Sequence, residues 1–216
     1  MTTQEIYRKL DTPQNLVSHM VTVAGLVSLI KQNWTGPIVS WDDAITAALL
    51  HDVGNVVKFD LENFPALLGS ELPRIDYWRK KQRELTATYG ADDHIVTDGM
   101  LEDLGVSKRI RQIISTKSFG NAVQVSDSSD YEAKILLYCD LRVLPDHIGT
   151  IQERIEDIAM RLKKYSKRAD FSQLADGVYQ IESQIKAFCS ARFDEVTQRT
   201  LLDKYQTTLL NRSNEA

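Results

Sequence analysis

The sequence has few cysteines and no long apolar run. Its 216 residues include only two cysteines, Cys139 and Cys189, which form no C-x-x-C pair, so neither a disulfide framework nor a structural zinc site is indicated. The longest apolar-rich piece, VTVAGLVSLI, is far shorter than the roughly 20 residues that a bilayer requires. The amino terminus lacks the apolar stretch of a secretory signal. We therefore expect free, buried thiols and a cytoplasmic protein that does not enter a membrane.

An excess of positive charge is also lacking. Lys and Arg total 26 against 30 for Asp and Glu, which gives a formal net charge of -4. No global positive field would draw in nucleic acid or an anionic membrane, and general nucleic-acid binding is not expected. Any phosphate group that the protein handles must therefore be held by a local site.

Alternating strand patterns are scarce, and helical periodicity dominates instead. The periodicity predicts helices over 13–32, with Thr12 as its N-cap, and over SWDDAITAALLHDVG, with Ser40 in a capping-box position. Residues 55–75 read as a packed loop with short helical turns. Further helices are predicted over DYWRKKQRELTATYG, DDHIVTDGMLEDLG, SKRIRQIIS and YEAKILLYCDLRVL, a loop over TKSFGNAVQVSDSSD, three amphipathic segments between Ile151 and Leu210, and a frayed tail over NRSNEA, residues 211–216. The sequence thus predicts an all-α protein.

Polar side chains interrupt two of the predicted apolar faces. His19 shares one side of the first helix with Leu16 and Met20, so its imidazole points inward, where a single histidine is usually a hydrogen-bonded core residue. Asp140 lies in the middle of an apolar stripe in YEAKILLYCDLRVL. Because an unpaired buried carboxylate is very costly, Asp140 requires a metal, a basic partner or several hydrogen-bond donors.

The pair His51-Asp52 in the last turn of the second helix changes the interpretation. Alone, a His-Asp pair is often a hydrogen-bonded helix end. Together with His19 and Asp140, the pair gives two inward histidines and two inward carboxylates on three helices. Imidazole and carboxylate suit one or two divalent ions among Mn, Fe, Co, Ni, Zn and Mg. The combination therefore favours a metal site.

Other polar residues could extend the site. His94 shares a helix face with Thr97 and Leu101, which makes it either a further metal ligand or phosphate contact, or an exposed residue near a helix start. Lys58 and Arg142 are placed to bind a phosphate, although the alternatives are a solvated lysine and a surface ion pair. The run RIDYWRKKQRE could form a base-stacking lid, but an amphipathic helix with a solvated face is the favoured interpretation.

The order and surroundings of His19, His51-Asp52 in ALLHDVGN and Asp140 in ILLYCDLRV resemble the HD-domain superfamily of metal-dependent phosphohydrolases. The resemblance covers about residues 10–165 and implies a single HD-type domain over 1–216, with a compact multi-helix core holding the metal and a C-terminal helical extension over 166–210. By matching positions it implies His19, His51, Asp52 and Asp140 as metal ligands, with His94 as the later histidine of members that have an elaborated site.

Departures from the family pattern exclude some branches. Asn55 replaces the lysine of an HDIGK-type motif, and no GYP signature follows, which disfavours a cyclic dinucleotide phosphodiesterase. The acidic residues that follow the motif in guanosine tetraphosphate hydrolases and in deoxynucleotidase-like members are absent too. With these branches disfavoured, the sequence resembles the small stand-alone HD hydrolases.

We therefore expect a metal-dependent phosphomonoesterase or phosphodiesterase whose substrate is a nucleotide or another small phosphorylated metabolite. Asp52 would orient or deprotonate the attacking water. One alternative is a non-catalytic HD-type module that binds a ligand or a partner protein. Another is a metal-free helical adaptor, in which Asp140 would pair with a buried cation. The helices after Ile151 could supply a homodimer surface.

Overall fold

Helices account for all the regular structure that the computed structural model describes, which covers residues 1–145, 147–161, 165 and 167–214. Within these ranges only isolated bridges occur and no β-strand forms, so the all-α prediction is confirmed. No described helix combines the length and the hydropathy needed to cross a bilayer. The α-helices are α1 Thr3–Leu10, α2 Gln14–Gln32, α3 Trp41–Leu50, α4 Ile75–Tyr89, α5 Asp93–Asp103, α6 Lys108–Ser115, α7 Ala122–Asp127, α8 Tyr131–Arg142, α9 Ile151–Arg161, α10 Phe171–Lys186 and α11 Gln198–Leu210.

Helices α2, α3 and α8 form the centre of the molecule. Helix α2 packs against α3, α8 and α11, and α3 also packs against α6 and α8. Every residue of α3 from Ala44 to Leu50 is buried, as expected for a helix that is apolar on all sides. Both cysteines are buried and free, as predicted. Because α2, α3 and α8 touch one another, the predicted polar residues that they carry are brought together.

Residues 55–75 form the predicted packed segment. Short 3-10 helices span Asn55–Lys58 and Pro65–Arg74, and Leu68 of the second one is fully buried. The second 3-10 helix is broken at Gly69, whose φ of 56° lies in the left-handed region that glycine adopts readily. This segment, together with α4 and α5, lies beside the end of α3.

Three local predictions are wrong. Pro13 rather than Thr12 occupies the N-cap position of α2, and the Ser40 side chain makes no capping bond at α3. The predicted loop over TKSFGNAVQVSDSSD contains a 3-10 helix at Phe119–Asn121 and then α7. Tertiary packing stabilises α7, because it lies against α10 at Gly177, where a Cβ atom would come within 2.9 Å of the Ala122 backbone.

The described part of the predicted frayed tail is held in place. The Asn214 backbone N–H donates to Met1 O at 3.0 Å, and Thr3 N–H donates to Arg212 O at 3.0 Å. Asn214 Nδ2 also donates to Thr3 Oγ1 at 2.9 Å. The partners of this polar tail lie at the other end of the chain, where local sequence patterns do not reveal them. Residues 215–216 lie outside the described residues.

Candidate metal centre

Three side-chain atoms from different elements converge on one point. His19 Nε2 of α2 lies 3.0 Å from Asp140 Oδ1 of α8. His51 Nε2, from the residue after α3, lies 3.3 Å from the same oxygen and 3.3 Å from His19 Nε2. His51 is fully buried, whereas the side chains of His19 and Asp140 are each 23% exposed. The cluster is thus enclosed on the α3 side and open on the other.

The end of α3 is shaped by side chains that bind its last carbonyl groups. Ala48 O receives a hydrogen bond of 2.8 Å from His51 Nδ1, and Leu49 O receives one of 2.5 Å from the Tyr7 hydroxyl. The carbonyl of His51 itself accepts a hydrogen bond of 2.5 Å from Lys117 Nζ. These bonds replace the helical partners that the final carbonyls lack. The chain can therefore leave the helix at His51 while remaining buried.

The bond from His51 Nδ1 also fixes the tautomer of this ring. A carbonyl oxygen only accepts, so Nδ1 must carry the hydrogen in its bond to Ala48 O. In the neutral ring, Nε2 then presents its lone pair to His19 and Asp140. Histidine ligands to metals are commonly oriented by this kind of hydrogen bond from the second ring nitrogen.

The donor set and its spacing fit a divalent cation. Ligand atoms bound at about 2.1 Å to one ion, at angles between octahedral and tetrahedral, lie about 3.0 to 3.4 Å apart. The three separations in the cluster are 3.0 to 3.3 Å. Two imidazoles and one carboxylate suit a divalent transition metal. His19, His51 and Asp140 could therefore hold a metal ion.

Asp52 borders this group and is held by a buried lysine. Its Oδ2 lies 3.8 Å from His19 Nε2, and its Oδ1 lies 3.7 Å from His51 Nε2. Lys117, only 5% exposed, donates through Nζ to Asp52 Oδ1 as well as to the His51 carbonyl. Lys117 is not among the residues predicted from the sequence, because it follows α6 outside any periodic pattern. The available signal was Asp52 itself, since a buried carboxylate requires a partner.

The electrostatics of the centre favour positive charge between the carboxylates. Burial alone would raise the pKa of Asp140, but the imidazoles of His51 and His19 hold this pKa well below its usual range. Burial would likewise raise the pKa of Asp52, but Lys117 and His51 hold it below its usual range. For His51, burial lowers the pKa, yet the Asp52 and Asp140 carboxylates more than offset this, so its pKa is raised. The cluster therefore attracts a cation, whether a proton or a metal ion.

The centre opens into a cleft of about 700 Å³. His94 and Lys58 line this cleft, but His94 lies outside the group of three converging atoms. Burial and the nearby Lys117 ammonium lower the pKa of His94, which favours the neutral ring. Lys58 is half exposed, and its Nζ lies 3.0 Å from Asp93 Oδ2. Both residues can therefore face a ligand in the cleft, and their predicted roles stay predictions.

Arg142 is not among the residues that line the cleft. Its side chain is buried; Nε donates to Gly149 O, and one terminal nitrogen donates to the Tyr138 hydroxyl at 2.8 Å. The guanidinium also lies 5.3 Å from the Phe193 ring centroid. Arg142 lies two residues after Asp140 on α8, about 200° around the helix, and so points away from the Asp140 side. We therefore remove it from the predicted phosphate contacts.

The segment RIDYWRKKQRE does not form a lid over the described cleft. The segment begins one residue before α4 and forms most of that helix. The side chain of Trp78 is buried, whereas Tyr77 is 37% exposed. The guanidinium of Arg74 lies over the Tyr77 ring, 4.5 Å from its centroid. No residue of α4 lines the cleft. The favoured prediction, an amphipathic helix with a solvated face, describes this segment.

Gly54 brings the His51-Asp52 turn close to α5. Its backbone N–H donates to Thr97 Oγ1 at 3.2 Å, and a Cβ atom at this position would lie 2.6 Å from Thr97 N. Only glycine allows so close an approach without displacing one backbone. The contact places His94, one turn before Thr97 on α5, beside the cleft.

The predicted motif residues therefore meet in space, with Lys117 added to them. Comparison of the chain with known protein-family models, curated proteins and solved structures gives no match. The function is therefore inferred from the chemistry of the converging atoms, the buried lysine beside them and the cleft into which they open.

Proposed function

We propose that this protein is a metal-dependent phosphohydrolase of the HD-domain type, acting on a nucleotide or another small phosphorylated metabolite. The observation that carries this proposal is the convergence of His19 Nε2, His51 Nε2 and Asp140 Oδ1 within 3.0 to 3.3 Å of one another. The adjoining cleft is large enough for a small ligand and carries the cations Lys58 and Lys117.

In this proposal His19, His51 and Asp140 hold one divalent ion. Such an ion supplies Lewis acidity and offsets negative charge on a phosphoryl group. We propose one ion rather than two because Lys117 already binds Asp52 Oδ1 and His94 lies outside the converging group.

Asp52 is the proposed catalytic residue. Lys117 holds its Oδ1 and keeps the carboxylate ionised, which leaves Oδ2 as the oxygen able to accept a hydrogen bond. From that position, Oδ2 can accept a proton of the attacking water and direct the water's lone pair toward phosphorus. Lys117 thus acts on the reaction through Asp52 and is a positioning residue.

Charge balance supports an anionic substrate. Asp52 and Asp140 together outnumber the single buried ammonium of Lys117, so the protein groups alone are net negative when both imidazoles are neutral. A divalent cation reverses that sign. Lys58 adds a further positive charge at the cleft, partly offset by Asp93. A phosphate ester is therefore attracted once the cation is bound.

The contacts of Asp140 argue against a metal-free helical adaptor. That alternative requires a buried lysine or arginine beside Asp140. In the described part of the chain, the ion pairs of Asp140 join it to His19 and His51. The buried lysine pairs with Asp52 instead. An adaptor also gives no reason for three potential metal ligands to converge.

Metal analysis and hydrolysis assays on matched variants test the proposal. Protein purified without chelator and dialysed against Mn²⁺ should retain about one equivalent of metal, and His51→Ala should lose it. Asp52→Asn should weaken metal binding less than His51→Ala does, but it should lower the rate of phosphate-ester hydrolysis by at least about 100-fold. His147→Ala, at a half-exposed histidine outside the cluster, is the matched control.

The assay should use a panel of nucleotides and a generic aryl phosphodiester with Mn²⁺, Co²⁺, Ni²⁺ and Mg²⁺. Failure of the wild type to bind any of these ions would refute the metal centre. A filled centre with no turnover on the whole panel would instead favour the non-catalytic binding module. Turnover that survives Asp52→Asn unchanged would remove Asp52 from the mechanism.

A further inference from the structure

Helix α9 contributes one of its faces to the wall of the cleft. Arg154, Ile158 and Arg161 all line the cleft, and their spacing of four and then three residues places them on the same side of the helix. The helix rises about 10 Å between the two arginines. The cleft therefore runs along α9 as well as past the metal centre, and its α9 wall carries two guanidinium groups.

Arg154 ties the α9 wall to the helix that carries Asp140. Its Nε donates to Leu141 O at 2.9 Å, and one of its terminal nitrogens donates to Val143 O. The guanidinium is thus held at the end of α8, beside the residue that follows Asp140. Because the Arg154 side chain is only 15% exposed, it offers little surface to a ligand, and it serves to fix α9 beside the metal centre.

Arg161 is the accessible arginine of the α9 wall. Its side chain is 55% exposed, and its Nε and one terminal nitrogen donate to the Asp157 carboxylate. The other terminal nitrogen, Nη1, has no hydrogen-bond partner among the described residues. Because a guanidinium carries five N–H donors, Arg161 keeps donors for a ligand while it remains paired with Asp157.

The charges on the α9 wall do not cancel. Asp157 lies 3.4 Å from a terminal nitrogen of Arg154 and also accepts from Arg161, so one carboxylate faces two guanidinium groups. Hydrogen bonds from Arg161 lower the pKa of Asp157, which keeps this carboxylate ionised at neutral pH. The carboxylates that line the cleft in the described part of the chain lie elsewhere, namely Asp52 and Asp140 at the metal centre and Asp93 beside Lys58. One positive charge on the α9 wall therefore lacks a compensating carboxylate.

Apolar side chains accompany both charged regions of the cleft. Leu141, Val143 and Leu144 follow Asp140 in the chain and line the cleft, and Ile158 lines it between the two arginines of α9. Ligand sites typically combine such apolar walls with a few polar groups that fix the orientation of the ligand. The cleft thus suits an organic group that carries a phosphate toward the metal centre and a second anion toward Arg161.

We propose that Arg161 forms a second anion subsite, so that the preferred phosphate ester carries a further carboxylate or phosphate group on its organic part. The inference rests on the proposed function only in placing the first phosphate at the metal centre. Guanidinium groups bind carboxylates and phosphates through charge-assisted hydrogen bonds, which are stronger than bonds to neutral acceptors. The subsite therefore selects doubly anionic phosphate esters over esters with a neutral organic part.

Calorimetric binding of alkyl phosphonates to Mn²⁺-loaded wild-type protein tests this subsite. The probes carry a phosphonate at one end of a chain of four to ten carbon atoms and a carboxylate, a second phosphonate, a neutral carboxamide or an amine at the other. At the best chain length, wild type should bind a doubly anionic probe about fivefold more tightly than the carboxamide probe. The tighter of the two doubly anionic probes identifies the second group as a carboxylate or a phosphate.

Arg161→Gln should reduce this preference to less than about twofold, because it removes the positive charge but keeps an amide donor. Arg161→Glu should reverse the preference, so that the amine probe binds more tightly than the carboxylate probe. Lys186→Gln is the matched control and should keep the wild-type preference. Lys186 is 56% exposed, its Nζ lies 3.0 Å from Glu182 Oε1 four residues earlier, and it does not line the cleft.

Equal wild-type affinities for the doubly anionic and carboxamide probes at every chain length would overturn the inference, as would the absence of measurable binding of any doubly anionic probe. A preference that survives Arg161→Gln would also overturn it, because Arg161 and Asp157 would then form only a surface ion pair. The proposed function fails separately. Probe preference without turnover of any phosphate ester leaves the subsite intact and refutes the hydrolase, whereas turnover without preference does the reverse.

Discussion

At the scale of single residues, the candidate centre consists of charged and polar groups that are buried together. Each would lower the stability of the fold if it were buried without the others. Asp52, only 8% exposed, is buried beside Lys117, and His51 is fully buried beside Asp140. Each charge is compensated by its neighbour. Removal of one group therefore leaves the other buried without a partner, which lowers the free energy of unfolding. The buried Lys117–Asp52 pair is the most direct place to measure this dependence.

Lys117→Met should lower the free energy of unfolding by about 3–5 kcal/mol in chelator, because it leaves the Asp52 carboxylate buried without its cation. Saturating Mn²⁺ should restore part of this loss, since a cation at the centre again compensates Asp52. Urea unfolding with EDTA and with excess Mn²⁺ measures both values.

Lys134→Met is the control for that experiment. Lys134 is also buried, 3% exposed, but its ammonium lies 4.9 Å from the Tyr131 ring centroid, and Lys134 does not line the cleft. The change that Lys134→Met causes in the free energy of unfolding should be the same with and without Mn²⁺. The same loss for Lys117→Met in both conditions would mean that no cation binds near Asp52.

At the scale of helices, the centre depends on how each element begins and ends. Helix α8, which carries Asp140, begins at a junction with α6. Asp130 caps α8 by accepting a hydrogen bond of 3.0 Å from Ala133 N, and Arg109 of α6 donates to its two oxygens at 2.7 and 2.9 Å. Burial would raise the pKa of Asp130, but these hydrogen bonds with Arg109 hold it below its usual value of 3.8.

This junction predicts an acid-dependent stability term. The folded-state pKa of Asp130 lies below the unfolded-state value, so its stabilisation is present above about pH 4 and is lost as the pH falls through the folded-state pKa. Asp130→Asn retains a capping side chain and should cost about 1–2 kcal/mol at pH 7. The difference from wild type should shrink below about pH 4 in urea unfolding experiments.

Asp98→Asn provides the comparison for Asp130→Asn. The exposed Asp98 pairs with Arg111 at 2.9 Å without capping a helix, and such a surface ion pair contributes roughly 0–1 kcal/mol. A cost for Asp130→Asn that stays constant between pH 3 and pH 7 would show that the charge of Asp130 is unimportant.

At the scale of the whole molecule, contacts between the two ends of the chain stabilise the end of α3 beside the centre. Residues 211–214 bind the start of α1, and Tyr7 of α1 donates through its hydroxyl to Leu49 O, two residues before His51. Tyr7 is buried, and burial raises its pKa far above the usual value, so it remains a donor. The contacts form a continuous path from Asn214 through α1 to the end of α3.

Asn214→Ala should therefore lower the free energy of unfolding by about 1–3 kcal/mol, since it removes a buried amide that pairs with Thr3 Oγ1. It should also increase amide hydrogen exchange in α1 more than in α8. Asn211→Ala, at an exposed position in the same segment, should change neither quantity by much. Equal amide exchange in α1 for both variants would contradict the prediction that Asn214 stabilises α1.

The sequence by itself determined the all-α class, the central helices and the inward positions of His19, His51 and Asp140, because apolar periodicity specifies which helix face is buried. It did not determine α7 or the contacts of residues 211–214, which depend on partners distant in the chain. Nor did it reveal that the Arg142 guanidinium packs against the ring of Phe193. Only the tertiary structure decided that Lys117 pairs with Asp52 and that the side-chain oxygens of Asn15 and Asn55 are enclosed without a hydrogen-bond partner among the described residues. A local pattern shows that a polar group is buried, but its partner is set by the packing of separate elements.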